Sequence, residues 1–371
     1  MTRASYDFAV VGSGLFGAVF AQQAIENGKS VVVLEKRNHI GGNCFSYKDP
    51  ESDIIVHKYG THIFHTPNRG IWEYITRFSE FSRYRHRVLT THHGRVYSMP
   101  INLGTINAFY NVNLTPDEVD EFLAVKKGNT SKPRNLEEKA ISLIGEDLYR
   151  AFVAGYTQKQ WRCDPRDLPA SIINRLPVRH SYNDSYFDDA FQGLPVDGYT
   201  PIFEKLLEGA DFHLETDFFA DRDYWLGKAN KLIYTGPIDQ YFEYCYGRLN
   251  WRSVRFEIER HAIDDYQGTS VMNFADVEVP YTRIHEPKHL HPERSIAGGT
   301  TLAIREFSHE DNDQPYYPVN FAEDRKSLSK YEDLIGEEGN VHFGGRLAQY
   351  KYFDMRHVIA HALKAAREEL G

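Results

Sequence analysis

Three glycines near the start of the chain have the spacing of a turn that approaches a phosphate group. Gly12, Gly14 and Gly17 lie in GSGLFG, where glycine permits a tight turn and a close backbone approach to a pyrophosphate at a helix N-terminus. Glu35 follows 23 residues after Gly12, at the distance from which a carboxylate accepts hydrogen bonds from adenosine ribose hydroxyls. This pattern predicts a dinucleotide site, and Glu35 disfavours a ribose that carries a 2′-phosphate.

The segments around these residues are the elements that such a site requires. YDFAVV predicts a strand over 6–11, and the next segment predicts an amphipathic helix from Leu15 to about Asn27, ended by Gly28. SVVVL predicts a second strand over 30–34. A strand, turn, helix and strand in this order place the glycines at the carboxyl edge of a parallel sheet. We therefore predict an α/β fold with a Rossmann-like dinucleotide-binding domain.

A second glycine pair decides which dinucleotide is expected. Gly41 and Gly42 follow Glu35 closely, in EKRNHIGGN. A glycine pair lets a second loop pass over the cofactor and present backbone amides to its phosphates. The alternative is a simple turn between two strands. Because the second pair is typical of flavoproteins and absent from plain NAD dehydrogenases, we predict FAD.

No side chain stands out as a nucleophile or as part of a metal site. Cys44, Cys163 and Cys245 are scattered, and neither a Ser-His-Asp pattern nor a GxSxG turn is evident. Two groups of histidines could be mistaken for metal ligands: His57, His62 and His65, and His285, His289 and His291. Neither group comes with a carboxylate or cysteine at a defined ligand spacing, so no metal is predicted. The chemistry is therefore expected to belong to the cofactor.

Composition narrows the class of protein. The 371 residues carry a net charge of −9, which disfavours a broad nucleic-acid surface. No run of 18 apolar residues predicts a membrane span, and MTRASYD lacks the apolar segment of a signal peptide. We therefore expect a cytoplasmic protein. Aromatic residues make up 14% of the chain, enough for both a large core and a site that stacks flat rings.

Several motifs in order along the chain resemble one family. They are VGSGLFGAV, EKRNHIGGN, KYGTHIFHT, GYTQKQW, RLPVR, NDSYF, YTGPIDQYF, VMN, YTRIHEPKH, PYYP and GGRLAQYKYFDM. Together they cover essentially the whole chain and are similar to UDP-galactopyranose mutases, flavoenzymes that interconvert the pyranose and furanose forms of UDP-galactose. One residue departs from the family pattern: Thr61 stands where proline is expected.

The resemblance implies a substrate site for a nucleotide sugar. It assigns the uridine end to one helix, although the same helical spacing also suits core-facing aromatics; those residues are Phe152, Tyr156, Thr157 and Trp161. Arg175 and Arg283 match the family's two phosphate-binding arginines. The other implied substrate contacts are Tyr186, Asn273, Tyr317 and Tyr352.

The resemblance also places groups around the flavin. His62 and Arg346 match residues beside the isoalloxazine, and we expect His62 to hydrogen-bond a flavin carbonyl. Asp354 is expected to cap a C-terminal helix whose positive end would stabilise negative charge on the reduced ring. The predicted cofactor-binding set is completed by Ser13, Phe16, Lys36, Asn43, Phe219, Gly236, Tyr352 and Met355.

The implied reaction is an isomerisation without net redox change. In this family N5 of reduced FAD attacks the anomeric carbon, with His62, Arg175 and Arg283 predicted as catalytic residues and NAD(P)H or another reductant as the electron source. The product would serve cell-surface polysaccharide synthesis, and the family suggests a homodimer. Three alternatives remain: an FAD-dependent oxidoreductase of the amine-oxidase type, a variant mutase for UDP-N-acetylgalactosamine, and a catalytically silent nucleotide-sugar binding protein.

The segments predict a discontinuous, three-part layout. The FAD-binding domain is expected to comprise residues 1–80, 196–244 and 311–371. Helical periodicity predicts a helical insertion domain over 101–175. Alternating apolar and polar residues predict an antiparallel β-sheet domain built from 81–100, 176–195 and 245–310.

Overall fold

The computed structural model of the protein describes residues 5–127, 132–175, 177–296, 298–310 and 314–371, without the side chains of Asn174 and Arg175. Its strands are β1 (Tyr6–Val11), β2 (Val31–Leu34), β3 (Ser46–Lys48), β4 (Ile55–His57), β5 (Phe64–Thr66), β6 (Val88–His92), β7 (Arg95–Met99), β8 (Phe191–Gly193), β9 (Asp211–His213), β10 (Ala229–Tyr234), β11 (Trp251–His261), β12 (Val271–Phe274), β13 (Arg283–His285), β14 (Thr301–His309), β15 (Tyr317–Pro318) and β16 (Val341–Phe343). Its α-helices are α1 (Leu15–Glu26), α2 (Arg69–Thr76), α3 (Leu103–Tyr110), α4 (Val119–Ala124), α5 (Leu136–Ile144), α6 (Glu146–Leu148), α7 (Gly155–Trp161), α8 (Thr200–Leu206), α9 (Arg222–Lys228), α10 (Ile238–Tyr241), α11 (Ala322–Ile335), α12 (Gly345–Ala348) and α13 (Met355–Leu370). No helix in these ranges is long and apolar enough to cross a membrane.

A parallel sheet carries the N-terminal motif. Its five strands follow the order β16-β10-β1-β2-β9, and β2 is buried along its whole length. Strands covered on both faces are apolar at successive positions, which explains the VVVL run. The predicted strand–helix–strand unit is confirmed within one or two residues at each end.

Helix α1 differs from the prediction in one respect. It is not amphipathic, since every residue from 16 to 22 is buried, Gln22 included. The reason is its position: α1 packs between the parallel sheet and the helices α8 and α13. The Gln22 side chain is satisfied there by the hydroxyl of Tyr74, which donates to its Oε1 atom at 2.8 Å.

A second sheet, largely antiparallel, follows the order β15-β11-β14-β13-β12-β6-β7. The predicted segments 81–100 and 245–310 supply six of these strands. Two details of strand pairing differ from the predicted layout. Strand β15 joins this sheet from within 311–371, because β11 is long enough to pair with it beyond the end of β14. Strand β8, from within 176–195, pairs instead with β5.

The helices α3 to α7 lie between residues 101 and 175 and pack around a hydrophobic core to which β6, β7 and β12 of the antiparallel sheet also contribute. Leu103, Ile106, Leu136 and Ala140 are buried in it. A π-helical stretch, Tyr149–Ala154, leads directly into α7. Such wide turns occur frequently at functional sites, and this one precedes the helix that carries Tyr156.

Candidate active site

A cavity of about 610 Å³ lies at the carboxyl edge of the parallel sheet. Val11, Leu34 and Tyr234 line it, and they are the last residues of β1, β2 and β10. The first residues of α1, Leu15 and Phe16, line it as well. Ligands of open α/β sheets bind at this edge, and the free N–H groups of a helix start attract a phosphate.

Two glycine turns touch each other in the wall of this cavity. A Cβ atom on Gly14 would meet only the Cα atom of Gly42, at 3.9 Å, whereas a Cβ on Gly42 would lie 2.9 Å from the Cα of Gly14. Gly12 and Gly41 have φ angles of 100° and 90°, which favour glycine. Gly17 does not line the cavity; its role is packing, since a Cβ there would lie 2.1 Å from the carbonyl oxygen of Gly12.

The carboxylate of Glu35 is held in place at the cavity wall. Its Oε2 atom accepts hydrogen bonds from the backbone N–H of Ser13 at 3.0 Å and from the Ser13 hydroxyl at 2.8 Å. Its Oε1 atom accepts from the backbone N–H of Arg37 at 2.9 Å. Ser13 itself is buried and outside the cavity wall. Its two hydrogen bonds fix the orientation of the Glu35 carboxylate, and its own contact with a cofactor stays a prediction.

His62 enters the cavity with a defined proton arrangement. Its Nδ1 atom lies 2.7 Å from the carbonyl oxygen of Gly60, which can only accept, so Nδ1 carries the proton. Burial lowers the pKa of His62 to about 4, so the ring is neutral at pH 7 and Nε2 is an acceptor. In this state the ring offers an acceptor to the cavity, and the expected hydrogen bond from His62 to a flavin carbonyl, which needs a donor, stays a prediction.

The start of the C-terminal helix adjoins the cavity through Met355 and Val358. Asp354 occupies the N-cap position, as predicted, but its side chain does not accept a hydrogen bond from the helix. It lies 3.6 Å from the guanidinium of Arg356. The helix N-terminus itself, rather than a capping side chain, is therefore the source of positive potential at this part of the cavity.

Most of the predicted cofactor-binding residues line the one continuous cavity. They are Gly12, Gly14, Phe16, Glu35, Lys36, Gly41, Gly42, Asn43, His62, Phe219, Gly236, Arg346 and Met355. Ser13, Gly17, Tyr352 and Asp354 are outside its wall. The glycine turns, the Glu35 carboxylate and the start of α13 all border the same cavity. These residues therefore fit an FAD molecule.

Some residues of the wall were missed by sequence reasoning. Arg37 directly follows the Glu35–Lys36 pair, and its guanidinium lies 4.5 Å from the ring centre of Tyr59 and 3.0 Å from the side-chain oxygen of Asn43. The EKR sequence was the available signal for Arg37. Thr216 has no comparable local signal, because it reaches the wall only through the folding of a distant segment.

A polar row crosses the antiparallel sheet beside this cavity. Strand register places Asn273 opposite Arg283, and Arg283 opposite Glu306. Residues directly opposite one another point to the same face of a sheet. The Arg283 Nε atom lies 3.3 Å from Glu306 Oε1, and the guanidinium also donates to the Tyr156 hydroxyl. Asn273 keeps a buried Oδ1 atom without a hydrogen-bond partner, as a group that meets a ligand would.

The charges of the row reinforce each other. Burial alone would raise the pKa of Glu306, but Arg283 and the hydrogen bonds from His285 and Thr282 lower it to about 2. Burial opposes the charge on Arg283, yet Glu306 and the tyrosine hydroxyls raise its pKa. At neutral pH this face therefore presents an ionised Arg283 whose Nε side is neutralised by a carboxylate.

Comparison with known proteins agrees with this geometry. The family model described as UDP-galactopyranose mutase matches residues 151–352, and a model of an NAD(P)-binding Rossmann-like domain matches residues 10–78. The chain belongs to the UDP-galactopyranose mutase family. As a member, it is an isomerase and a flavoenzyme that uses FAD.

Curated members of the mutase family match over nearly the whole chain. A probable UDP-galactopyranose mutase of Klebsiella pneumoniae is 42% identical over 98% of this chain and 94% of its own length. A dTDP-fucopyranose mutase of Escherichia coli is 39% identical over 96% of this chain and 97% of its own length. Among solved structures, a reduced UDP-galactopyranose mutase superposes with a TM-score of 0.75 at 15% identity, covering 99% of this chain and 94% of that one.

The oxidase alternative has a structural counterpart. A protein described as a putative protoporphyrinogen oxidase of Exiguobacterium superposes with a TM-score of 0.66 at 13% identity, covering 99% of both chains. At that identity the likeness shows a shared fold alone. Membership of the mutase family rests instead on the family model and the full-length relatives.

The tyrosines predicted for the substrate site lie near Arg283 and Arg346. The rings of Tyr317 and Tyr352 stack with their centres 5.4 Å apart. The Cζ atom of Arg346 lies 5.6 Å from the ring centre of Tyr317 and 5.4 Å from that of Tyr352. Tyr186 is half-buried and, with Tyr317, close enough to Arg283 to raise its pKa. Their contacts with a substrate stay a prediction.

The predicted uridine-end residues divide into two groups. Tyr156 reaches Arg283, while Phe152 is 4% exposed and its ring centre lies 5.0 Å from that of Tyr97 on β7, in the core between the helices and the antiparallel sheet. Thr157 and Trp161 are also buried. Their contact with a uracil stays a prediction, and the Arg175 side chain lies outside the described residues.

Proposed function

We propose that this chain interconverts UDP-galactopyranose and UDP-galactofuranose. The observation that carries the proposal is the ionised Arg283, held by Glu306 and Tyr156 beside a cavity that fits FAD. An amine substrate needs no phosphate-binding arginine, and a plain oxidoreductase would not explain this buried cluster. A nucleoside diphosphate leaving group does explain it, because its charge grows as the glycosidic bond breaks.

The protein's own part in this reaction is to bind and orient the pyrophosphate of the substrate. Arg283 and Arg175 bind the pyrophosphate through charge-assisted hydrogen bonds. Tyr317, whose ring stacks on that of Tyr352, and the half-buried Tyr186 lie near Arg283, where their hydroxyls could reach the same pyrophosphate. When bound and reduced, FAD supplies the nucleophile for the anomeric carbon, so the three catalytic assignments, His62, Arg175 and Arg283, act by positioning and charge.

A second nucleotide sugar is also a candidate. The dTDP-fucopyranose mutase of E. coli is nearly as similar to this chain as the K. pneumoniae relative, at 39% against 42% identity. The two named substrates differ in the base and in the hexose, while the pyrophosphate that Arg283 would bind is shared. UDP-N-acetylgalactosamine is a third candidate, since the same arginine cluster would bind its pyrophosphate.

The substrate assignment is tested by offering the reduced enzyme the furanose or pyranose form of all three nucleotide sugars and separating the products. We expect the UDP-galactose pair to interconvert with the highest kcat/KM. Faster conversion of the dTDP-fucose pair would transfer the assignment to that substrate. Conversion of none of them, by protein that contains reduced FAD, would contradict the proposed function.

We further propose that the enzyme works in the cytoplasm as a homodimer, as the family resemblance implies. No disulfide joins the cysteines that the structure describes, which are Cys44, Cys163 and Cys245. Free cysteines are typical of proteins in a reducing compartment. Sedimentation velocity at micromolar concentration tests the assembly, and a species of 42.9 kDa, the mass of one chain, would contradict it.

A further inference from the structure

Thr61 and His285 join two walls of the site through a hydrogen bond between residues 224 positions apart in the chain. The Thr61 Oγ1 atom lies 2.7 Å from Nδ1 of His285. On the other side of the ring, Nε2 lies 2.9 Å from Oε2 of Glu306. His285 is 2% exposed and Glu306 is 8% exposed, so this series is shielded from water, in which hydrogen bonds are weakened.

The direction of these hydrogen bonds follows from their chemistry. The pKa of Glu306 is about 2, so its side chain is a carboxylate that only accepts. His285 must therefore donate its Nε2–H to Glu306. In the tautomer that donates from Nε2 alone, the ring accepts at Nδ1, and the Thr61 hydroxyl is the donor. A residue without a hydroxyl at position 61 would leave that nitrogen without a partner.

Glu306 connects this series to the phosphate-binding arginine. Its Oε2 atom is taken by His285, while Oε1 lies 3.3 Å from Arg283 Nε and from the Thr282 hydroxyl. The rotation of one carboxylate is therefore fixed from both sides. Because Arg283 and His285 are two residues apart on β13, both point to the face that Glu306 occupies.

The loop at the other end of the series presents His62 to the cavity. Gly60 has a φ of 93°, and a Cβ there would lie 3.0 Å from the ring of Phe256, so the loop touches the antiparallel sheet. The next residue, Thr61, stands where the family resemblance expects proline, whose ring would restrict the backbone but offer no donor. A hydrogen bond to the sheet replaces that restriction here.

We infer that Thr61 and His285 are positioning residues, which hold His62 at the cofactor cavity in register with Arg283 at the pyrophosphate. The inference rests on the proposed function. It deepens that function by naming residues that touch neither ligand yet set the distance between cofactor wall and leaving-group site. In this role the hydroxyl of Thr61, rather than its volume, is the required feature.

The test compares Thr61→Val, which replaces the hydroxyl with a methyl group of similar size, with Thr61→Ser, which keeps the hydroxyl. Thr105→Val is the matched control, because Thr105 is buried and its hydroxyl donates to the Ser98 carbonyl at 2.6 Å, far from the cavity. The measurements on FAD-containing protein are the Kd of UDP by calorimetry and the kcat and KM of the reduced enzyme. Thr61→Ala repeats the test if the valine disturbs loop packing.

We expect Thr61→Val to retain FAD, to lower kcat about five- to tenfold and to weaken UDP binding about threefold. Thr61→Ser should stay within about twofold of wild type, and Thr105→Val should change stability but leave the Kd of UDP, kcat and KM unchanged. Wild-type kinetics and UDP affinity in Thr61→Val, or equal losses in the valine and serine variants, would overturn the inference. Failure of the wild-type enzyme itself to turn over would instead contradict the proposed function.

Discussion

Arg283 lies directly opposite Glu306 across the pair of strands β13 and β14, with Nε 3.3 Å from the carboxylate. The register of these two strands, more than any local motif, creates the charged face of the site. Breaking a buried pair leaves one charge without compensation, which destabilises strongly. The pair therefore supports the fold and fixes the orientation of the guanidinium that we propose to bind the pyrophosphate.

Replacement of the phosphate-binding arginines tests the proposed leaving-group site. Losing a charged hydrogen bond of about 1.5–3 kcal/mol should reduce kcat/KM at least about tenfold in Arg283→Ala and in Arg175→Ala. Because the charge on the pyrophosphate grows in the transition state, kcat should fall together with the rise in KM. Steady-state kinetics of the reduced variants measures both, and the flavin absorbance should be unchanged.

The control for this experiment must be an exposed arginine. Arg150 suits, because its side chain is 74% exposed and its hydrogen bonds, within the described part of the chain, go to Glu146 on the helix surface. Arg179 does not suit, although it shares the RLPVR motif, since it is buried and binds Asp188 at 2.6 Å. Wild-type turnover in both arginine variants would show that the phosphate site is placed wrongly, and loss of flavin would show a structural role.

Two glycines of the same motif should respond differently to alanine. Gly14→Ala adds a Cβ that meets only Gly42, at 3.9 Å, so the apoprotein should unfold near the wild-type temperature. The same atom would occupy the space of a pyrophosphate, and the Kd of FAD should rise at least about tenfold. Gly17→Ala should destabilise the apoprotein, since its Cβ would lie 2.1 Å from the Gly12 carbonyl. Thermal unfolding and FAD titration separate the two effects. Equal changes in unfolding temperature and FAD affinity in the two variants would contradict the assignment of Gly14 to cofactor binding.

Lys159 should be a structural cation. Its ammonium lies 2.7–3.0 Å from the backbone carbonyls of Phe274, Asp276, Val279 and Tyr281, in the loop that leads to Arg283. Lys159→Met would leave these carbonyls without their donor, and we expect a loss of about 2 kcal/mol in the free energy of unfolding. The exposed Lys364→Met is the control, with a change within about 0.5 kcal/mol. An equally small effect at Lys159, measured by urea unfolding, would refute the role.

Acid lability should depend on Glu286, which is fully buried. Burial would raise its pKa, but hydrogen bonds from His289, Tyr266, Thr301 and Gln267 lower it from 4.5 to about 2. Since the folded-state pKa is depressed, the stabilisation is present above pH 4.5 and is lost as the pH falls towards 2. Glu286→Gln should lower the free energy of unfolding by about 3 kcal/mol at pH 7 and by less than half of that at pH 3. A pH-independent difference would contradict the assignment.

The FAD cradle was predictable from sequence because its signal is local. Gly12, Gly14 and Glu35 occupy one strand–helix–strand unit, and each residue type answers a requirement of that unit. Glu306 could not be found in this way: within the alternating strand TLAIREFSH it looks like any solvated carboxylate. Its function arises from strand register, and the bond of Thr61 to His285 arises from a contact across 224 positions.

The proton arrangement of His62 was likewise beyond the sequence. Its position beside the flavin was an expectation from family resemblance, but the donor at Nδ1 depends on the carbonyl of Gly60, two residues away in a tight turn. Only the folded loop determines which ring nitrogen faces the cavity.

The central claim, isomerisation without net redox change, is tested most directly by anaerobic turnover of UDP-galactofuranose by one preparation, first oxidised and then reduced with a single equivalent of dithionite. The account predicts formation of UDP-galactopyranose over many turnovers only in the reduced preparation, with no further reductant consumed and no hydrogen peroxide formed. Equal rates in the oxidised preparation, or one equivalent of reductant consumed for each product molecule, would contradict it.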